Sequence, residues 1–247
     1  MSISDFFSDP MFNKYKNKQL SLNISSEMIE TIKRRFPNAS IRKSELSNIY
    51  IKIRCEEGEI SLTLKDDNTM TLGQLYKCSG KSGTEMLKII IELAKDLKTK
   101  SISLYDESIK FVPSTAYFKE ECGLPLSTLH ILMKGESWYQ SHGFYSSNDE
   151  IHKVNNEEIR QRPFIDFLKD EKDQKEWDEL FPDSPSVNIC TSNMWKWIYN
   201  HKLKNDNVEC DRAVFLLKKI LEHTPVMYNV RRTLDIDDEK IKYKLRK

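Results

Sequence analysis

The stretch from Thr69 to Tyr105 decides the fold, and it reads TMTLGQLYKCSGKSGTEMLKIIIELAKDLKTKSISLY. Apolar residues at strand spacing predict one strand over Thr69–Tyr76 and another over Ser101–Tyr105. Between them, apolar residues at helical spacing predict a helix over Thr84–Lys98; they are Met86, Leu87, Ile90, Ile91, Ala94 and Leu97. A strand, helix, strand unit of this length must cross over, so the two strands are expected to be parallel in one sheet.

The residues upstream of this unit predict an antiparallel meander. Ile49–Arg54 and Glu59–Lys65 alternate apolar and polar side chains, and polar turns follow each of them. A helix opened by Ser25-Ser26-Glu27-Met28 with a serine N-cap is expected before them, with Pro37 stopping it. The predicted class is therefore α/β, with a mixed, mostly antiparallel sheet flanked by helices.

Beyond about Asn148 the composition shifts toward helix. We therefore expect two parts: residues 1–147 as the α/β domain and residues 148–247 as a helical C-terminal extension. The helices predicted in the extension are Glu157–Lys169, Glu171–Leu180, Thr191–His201 and Val208–His223. A last strand over Met227–Leu234 is expected to return to the sheet.

Two further elements are predicted within residues 1–147. Leu126–His142 reads as one helix capped by Ser127 and ended by Gly143. Leu20–Ile24 reads as a short strand in an otherwise irregular N-terminal lead-in.

Charge and cysteine usage limit the classes of partner. Lys and Arg number 39 against 38 Asp and Glu, so the formal net charge is +1 and no global field favours nucleic acid. We expect such contact only through the basic tail Lys240–Lys247.

The five cysteines are scattered without a Cys-x-x-Cys pair, which favours reduced thiols and a cytoplasmic location. The histidines lack zinc spacing, so no metal site is expected. With no leader and no apolar run of roughly 20 residues, no membrane association is expected.

The small-residue turn Lys77-Cys78-Ser79-Gly80-Lys81-Ser82-Gly83-Thr84 carries the chemistry. Backbone amides at a turn between a strand and a helix favour an anion such as a phosphate. A P-loop is one interpretation, since Gly80-Lys81-Ser82 supplies its ending and Asp106 could serve a magnesium ion. Against it, Leu75 stands where the P-loop needs its first glycine.

A second phosphate-binding design matches more of the chain. Gly83, followed by Met86, Leu87, Ile90, Ile91 and Ala94, and the later Tyr139-Gln140-Ser141-His142-Gly143-Phe144 resemble the acyl-CoA turn and the Tyr-x-x-x-Gly-Phe signature of the GNAT superfamily of N-acetyltransferases. The stretch Leu126–Tyr139 is similar to GNAT-like proteins of large DNA viruses. The resemblance covers roughly residues 26–144.

This resemblance implies an acyl-CoA-dependent N-acyltransferase with acetyl-CoA as co-substrate and an unknown amine or protein as acceptor. The pantetheine arm would pair with the strand edge that continues through Leu75, Tyr76 and Lys77. The pyrophosphate would rest on the segment Ser79, Gly80, Lys81, Ser82, Gly83 and Thr84. Tyr139 would protonate the leaving thiolate. A viral relative would work in the host cytoplasm or the virion.

The same comparison shows departures that keep a non-enzymatic interpretation open. Cys78 stands where the family has Arg or Gln, and Lys81 where it has a small residue. The strand before the turn offers Gln74 in place of the family's common carboxylate. A scaffold or interaction protein that keeps the fold, for instance a viral structural or host-interaction factor, is the alternative, with Tyr139 then a core residue.

Overall fold

The computed structural model describes residues 25–44, 48–55, 58–107, 109–111, 123–204, 212–225 and 231–236. Its described part is α/β, and its main sheet has six strands, whose order across the sheet is Ala39–Lys43, Ile49–Arg54, Glu59–Leu64, Thr69–Gln74, Ser101–Tyr105 and Arg231–Asp235. The described residues up to Leu104, with Asp235 and Ile236, form one compact unit, and those from Tyr105 to Leu234 form a second. The predicted boundary at residues 147 and 148 remains a prediction.

The first unit is built on a meander. Its strands are β1 (Ala39–Lys43), β2 (Ile49–Arg54), β3 (Glu59–Leu64), β4 (Thr69–Gln74) and β5 (Ser101–Tyr105, the last residue of which belongs to the second unit). The first four strands pair antiparallel in sequence order, and β4 pairs parallel with β5. The mixed, mostly antiparallel sheet and the parallel pair across the crossover are therefore confirmed.

Two helices belong to the first unit: α1 (Ser26–Arg35) and α2 (Gly83–Asp96). The serine N-cap predicted for α1 is Ser25, whose side chain accepts a hydrogen bond from the Met28 amide at 3.1 Å. The apolar face of α2 is buried through Met86, Leu87, Ile90, Ile91, Leu93 and Ala94. On the exposed side, Arg35 of α1 forms ion pairs with Glu92 and Asp96 of α2.

The second unit is mainly helical. Its helices are α3 (Leu126–Lys134), α4 (Trp138–Ser141), α5 (Asp149–Gln161), α6 (Glu171–Leu180), α7 (Thr191–Ile198) and α8 (Arg212–His223). Its strands are β6 (Ile109–Phe111), β7 (Gly123–Pro125) and β8 (Arg231–Asp235, whose last residue belongs to the first unit). Trp177 and Trp195 are fully buried in its apolar core.

The single helix predicted over Leu126–His142 is wrong. Gly135 adopts φ +87° and ends α3, and α4 starts again three residues later. The predicted cap is also wrong, because Pro125 occupies the N-cap position and the Ser127 hydroxyl, although buried, has no hydrogen-bond partner. Gly135 cannot carry a side chain easily, because residues with a Cβ rarely adopt φ +87°.

Other boundaries differ for identifiable reasons. The helix predicted over Glu157–Lys169 begins earlier, as α5, and ends before Pro163, after which Phe164–Phe167 forms a 3-10 turn. Strand β1 was not expected, because its sequence ASIRK alternates too weakly. The predicted last strand is observed as β8, and its predicted first residues, like Leu20–Ile24 and Lys240–Lys247, lie outside the described residues. Within the described ranges, no helix combines the length and apolar content needed to cross a bilayer.

Candidate functional site

The end of β4 carries a β-bulge at Gly73. Leu72 pairs with Leu62 of β3 and Gln74 pairs with Ser61, so Gly73 is an extra residue without an opposite partner. A Cβ at Gly73 would lie 2.7 Å from the Ser61 hydroxyl oxygen, which explains the glycine. The last β4–β5 pair is Leu72 with Leu104, whereas β4 continues to Gln74. The bulge therefore marks the point where β4 leaves the parallel pairing.

The turn after β4 is tight and exposed. The Lys81 amide donates to the Cys78 carbonyl at 3.0 Å, and this bond closes a β-turn whose central residues, Ser79 and Gly80, have φ +53° and +72°. Positive φ at both central positions defines a type I′ turn, which normally uses Asn or Gly. Ser79, Gly80, Lys81 and Ser82 are all exposed.

Helix α2 begins directly after this turn with a capping box. The Ser82 hydroxyl accepts from the Glu85 amide at 3.3 Å, and the Glu85 carboxylate accepts from both the Ser82 amide and its hydroxyl at 2.8 Å. These hydrogen bonds from Ser82 hold the pKa of Glu85 below its usual value, so the carboxylate is charged at neutral pH. A negative charge therefore stands at the start of α2.

Free amides remain around this carboxylate. In the described part of the chain, no backbone or side-chain group accepts a hydrogen bond from the amides of Ser79, Gly80, Gly83 and Thr84. The same holds for the amides of the preceding residues Leu75, Tyr76 and Lys77. The predicted binding residues of the first unit thus lie on one continuous segment that starts at the bulge and ends in the first turn of α2. Unpaired amides at a helix start can receive an anion.

Tyr139, the predicted catalytic residue, lies in the second unit, in the short helix α4. Ser137 caps this helix, and its hydroxyl and amide exchange hydrogen bonds with the amide and side chain of Gln140. Gly143, at φ +93°, returns the chain so that the amide of Phe144 donates to the Tyr139 carbonyl at 3.1 Å. The rings of Tyr139 and Phe144 pack edge to face, 5.6 Å apart. The Tyr-x-x-x-Gly-Phe pattern is therefore a local fold that fixes the tyrosine ring.

The Tyr139 side chain is buried, with one charge nearby. The residue is 8% exposed, and burial, followed by the negative charge of Asp106, raises the pKa of Tyr139 above its usual value near 10. Among the residues that the structure describes, none forms a hydrogen bond with this hydroxyl. The phenol therefore keeps its proton across the neutral range.

Asp106 belongs to a buried charge network that the sequence did not indicate. Arg232 of β8 is 2% exposed, and its guanidinium donates to Asp106 at 3.3 Å and to Asp149 at 2.8 Å. The magnesium role considered for Asp106 gains no support, because this carboxylate is buried against an arginine. No pattern in the sequence links these three residues, which are far apart along the chain.

The expectation of reduced thiols is wrong for one pair of cysteines. The structure joins Cys55 and Cys78 in a disulfide, and Cys190 is a free cysteine. One signal was present, since both residues follow strands that run in the same direction in the predicted meander, which brings them to the same edge of the sheet. The capping box at the start of α2 also had a signal in the sequence, because Glu85 follows Ser82 by three residues.

Comparisons of the chain with protein-family models, with curated proteins and with solved structures find no match. Among the described residues, no group of three His, Cys, Asp or Glu side chains is arranged to hold a metal ion.

Proposed function

We propose that this chain is a GNAT-like, acyl-CoA-dependent N-acyltransferase that transfers an acetyl group from acetyl-CoA to an amine. The observation that carries the proposal is the bulge at Gly73, where β4 leaves its parallel partner and leads into unpaired amides. A strand that diverges from its neighbour exposes backbone groups that an extended ligand can pair with. The GNAT resemblance of the sequence assigns this opening to acyl-CoA.

The pantetheine arm would use the exposed edge after the bulge. Pantetheine contains amide groups, and an extended chain with amides can add to a strand edge through main-chain hydrogen bonds. Leu75, Tyr76 and Lys77 offer their unpaired amides here. The developing negative charge on the thioester oxygen would be stabilised by such an amide.

The pyrophosphate would use the amides of Ser79, Gly80, Gly83 and Thr84. The dipole of α2 and the exposed ammonium group of Lys81 both favour an anion here. The charged carboxylate of Glu85 opposes it, since it already accepts hydrogen bonds at the helix start. We therefore expect binding that is weaker than the free amides alone would give.

Tyr139 is the proposed proton donor of the reaction. The acceptor amine attacks the thioester carbonyl carbon, the carbon–sulfur bond breaks, and the departing thiolate takes the phenolic proton of Tyr139. The acylated nitrogen loses its extra proton to solvent, and solvent returns a proton to the Tyr139 phenolate. The raised pKa of Tyr139 keeps that proton available at neutral pH. The acceptor amine must arrive deprotonated, and we assign no general base.

One observation favours a second function, that of a non-enzymatic interaction protein on the same fold. Glu85 places a negative charge where acyl-CoA would bring its phosphates. Lys81 adds a side chain where the family has a small residue, Cys78 stands where it has Arg or Gln, and Gln74 replaces its common carboxylate. On this view the capping box only stabilises α2.

A thermal-shift comparison of acetyl-CoA, CoA and ATP with Mg²⁺ tests the proposal. A ligand at 100 times its Kd stabilises the native state by about 2.7 kcal/mol, which is roughly 5–10 °C for a chain of this size. We expect a shift with acetyl-CoA and CoA and none with ATP. A shift with ATP alone would support a P-loop nucleotide binder, and no shift with any of the three would support the interaction protein.

A further inference from the structure

The disulfide between Cys55 and Cys78 connects two turns of the first unit. Cys55 directly follows β2, and its amide donates to the carbonyl of Gly58 at 2.8 Å. Cys78 is the first residue of the β-turn before α2, and the Cα atoms of the two cysteines are 4.9 Å apart. The bond therefore ties the β2–β3 turn to the turn that carries the unpaired amides.

The tied turn has a conformation that its own sequence does not favour. Ser79 adopts φ +53°, a region that residues with a Cβ enter at a cost. Two restraints besides the Cys78–Lys81 hydrogen bond hold the turn: the disulfide, and the ring of Tyr76, which packs so closely on Gly58 that a Cβ there would lie 2.8 Å from it. Loss of the covalent restraint should therefore loosen the turn.

The two cysteines of the disulfide differ in exposure. Cys78 is 7% exposed, whereas Cys55 is half-buried. A small thiolate can therefore reach the Cys55 sulfur more easily, and access is one of the factors that set the rate of exchange.

We propose that Cys55 and Cys78 form a reversible redox site, and that its oxidised form holds the turn from Tyr76 to Ser82 in the geometry that presents the amides. The reaction partner is a small thiol and its disulfide, such as reduced and oxidised glutathione. The part of this inference that concerns acyl-CoA rests on the function proposed above, and the redox site itself does not.

The exchange balances in two steps. A thiolate attacks the Cys55 sulfur, forms a mixed disulfide there and releases the Cys78 thiolate, which takes a proton. A second thiolate then attacks the sulfur of the small thiol in the mixed disulfide, releases Cys55 as a thiolate that is protonated in turn, and leaves as the oxidised small disulfide. Two electrons and two protons thus pass from two small thiols to the protein, and the reverse sequence re-forms the bond.

Reduction changes the turn in a definite direction. With the bond open, Ser79 can leave its positive φ, and the amides of Ser79 and Gly80 lose their fixed positions. Binding of a ligand that needs these amides in place then carries an additional ordering cost. Reduced protein should bind acetyl-CoA several-fold more weakly than oxidised protein.

The test equilibrates the full chain with glutathione buffers of rising oxidised fraction and reads out two quantities. Peptide mapping after alkylation measures the Cys55–Cys78 bond, and hydrogen exchange measures the hydrogen-bonded amides of Lys81 and Ser82 in the turn. We expect the bond to form reversibly and amide exchange to slow by at least about threefold when it does. Cys190→Ser should respond as wild type, and Cys55→Ser should exchange at the fast rate in every buffer.

Two results would overturn the inference: no Cys55–Cys78 peptide in any buffer, or a bond that forms without any change in exchange at the turn. Acetyl-CoA titrations of both forms then address the ligand separately. Absence of acetyl-CoA binding in both forms, with a normal exchange response, would refute the proposed function and leave the redox site standing. Equal affinity in both forms would refute the link between the redox site and the ligand.

Discussion

Helices α2 and α4 begin with the same serine capping box and end up in opposite environments. At α2, Ser82 is exposed and its partner is the charged Glu85, with unpaired amides beside it. At α4, Ser137 is fully buried and its partner is the neutral Gln140, beside the buried ring of Tyr139. In both caps the serine exchanges hydrogen bonds with the residue three positions later, and this pair of bonds stabilises both helix starts. The surroundings decide which helix start is open to a ligand and which one fixes an aromatic side chain.

The largest expected effect contrasts the buried charges of the second unit with the exposed charges of the first. Arg232→Leu should lower the free energy of unfolding by about 3–5 kcal/mol, because it removes the buried guanidinium that pairs with the carboxylates of Asp106 and Asp149. Arg35→Leu removes exposed ion pairs with Glu92 and Asp96 and should cost at most about 1 kcal/mol. Urea unfolding of both variants measures the difference. Equal losses of unfolding free energy would show that burial does not make the ion pairs of Arg232 more important for stability than the exposed ion pairs of Arg35.

Tyr139→Phe tests the catalytic assignment at α4. Loss of the hydroxyl should lower turnover by a factor on the order of 10² while acetyl-CoA affinity stays unchanged. Since burial raises the pKa of Tyr139, ionisation of this phenol should cause no loss of turnover between about pH 7 and 10. Thiol release with a panel of amines and peptides measures the rate, and Tyr50→Phe, on a half-exposed tyrosine of β2, is the control. Full turnover by Tyr139→Phe would contradict the assignment.

Replacing the capping serine of α4 and of α2 by alanine measures how much stability each cap contributes in its own environment. Ser137→Ala should cost about 2 kcal/mol, because it leaves the Gln140 amide unpaired in a buried place. Ser82→Ala should cost about 1 kcal/mol, because water replaces its hydroxyl at an exposed helix start. Chemical denaturation of the pair gives both values. A larger loss at Ser82 would reverse the comparison.

Glu85→Gln should have the smallest effect. The amide oxygen of Gln can still accept from Ser82, so the cap persists while the charge at the start of α2 is removed. We expect acetyl-CoA to bind about threefold more tightly, a gain that added salt reduces. Glu92→Gln, two turns further along α2, removes an equal charge and should leave affinity unchanged. Unchanged or weaker binding by Glu85→Gln would show that the carboxylate does not oppose the ligand.

The sequence predicted the elements whose pattern is local. The strands Ile49–Arg54 and Ser101–Tyr105 and the helix Glu171–Leu180 match their predicted bounds, since each carries a clear period and polar ends. The parallel pairing of β4 with β5 followed from the length of the crossover. By contrast, the break at Gly135 was missed because the apolar residues continue on both sides of it.

The features that depend on distant residues could not be predicted. Arg232 meets Asp106 and Asp149 only after folding, and no spacing rule connects residues so far apart. Cys55 and Cys78 were expected to be reduced thiols, and their bonding distance depends on the β-turn at Ser79, whose positive φ no propensity indicates. The bulge at Gly73 had a weak signal, a glycine within a strand, whose meaning depends on Ser61 of the neighbouring strand.

Titration calorimetry of acetyl-CoA against wild type and Gly83→Val tests most directly whether the start of α2 binds acyl-CoA. A β-branched side chain at the first residue of the helix would crowd the phosphates, whereas valine has a higher helix propensity than glycine and should not weaken the helix. Affinity should fall at least about tenfold with Tm nearly unchanged, and Lys95→Val, in the last turn of α2, should bind as wild type. Wild-type affinity in a folded Gly83→Val protein, or no binding by the wild type, would contradict the proposed site.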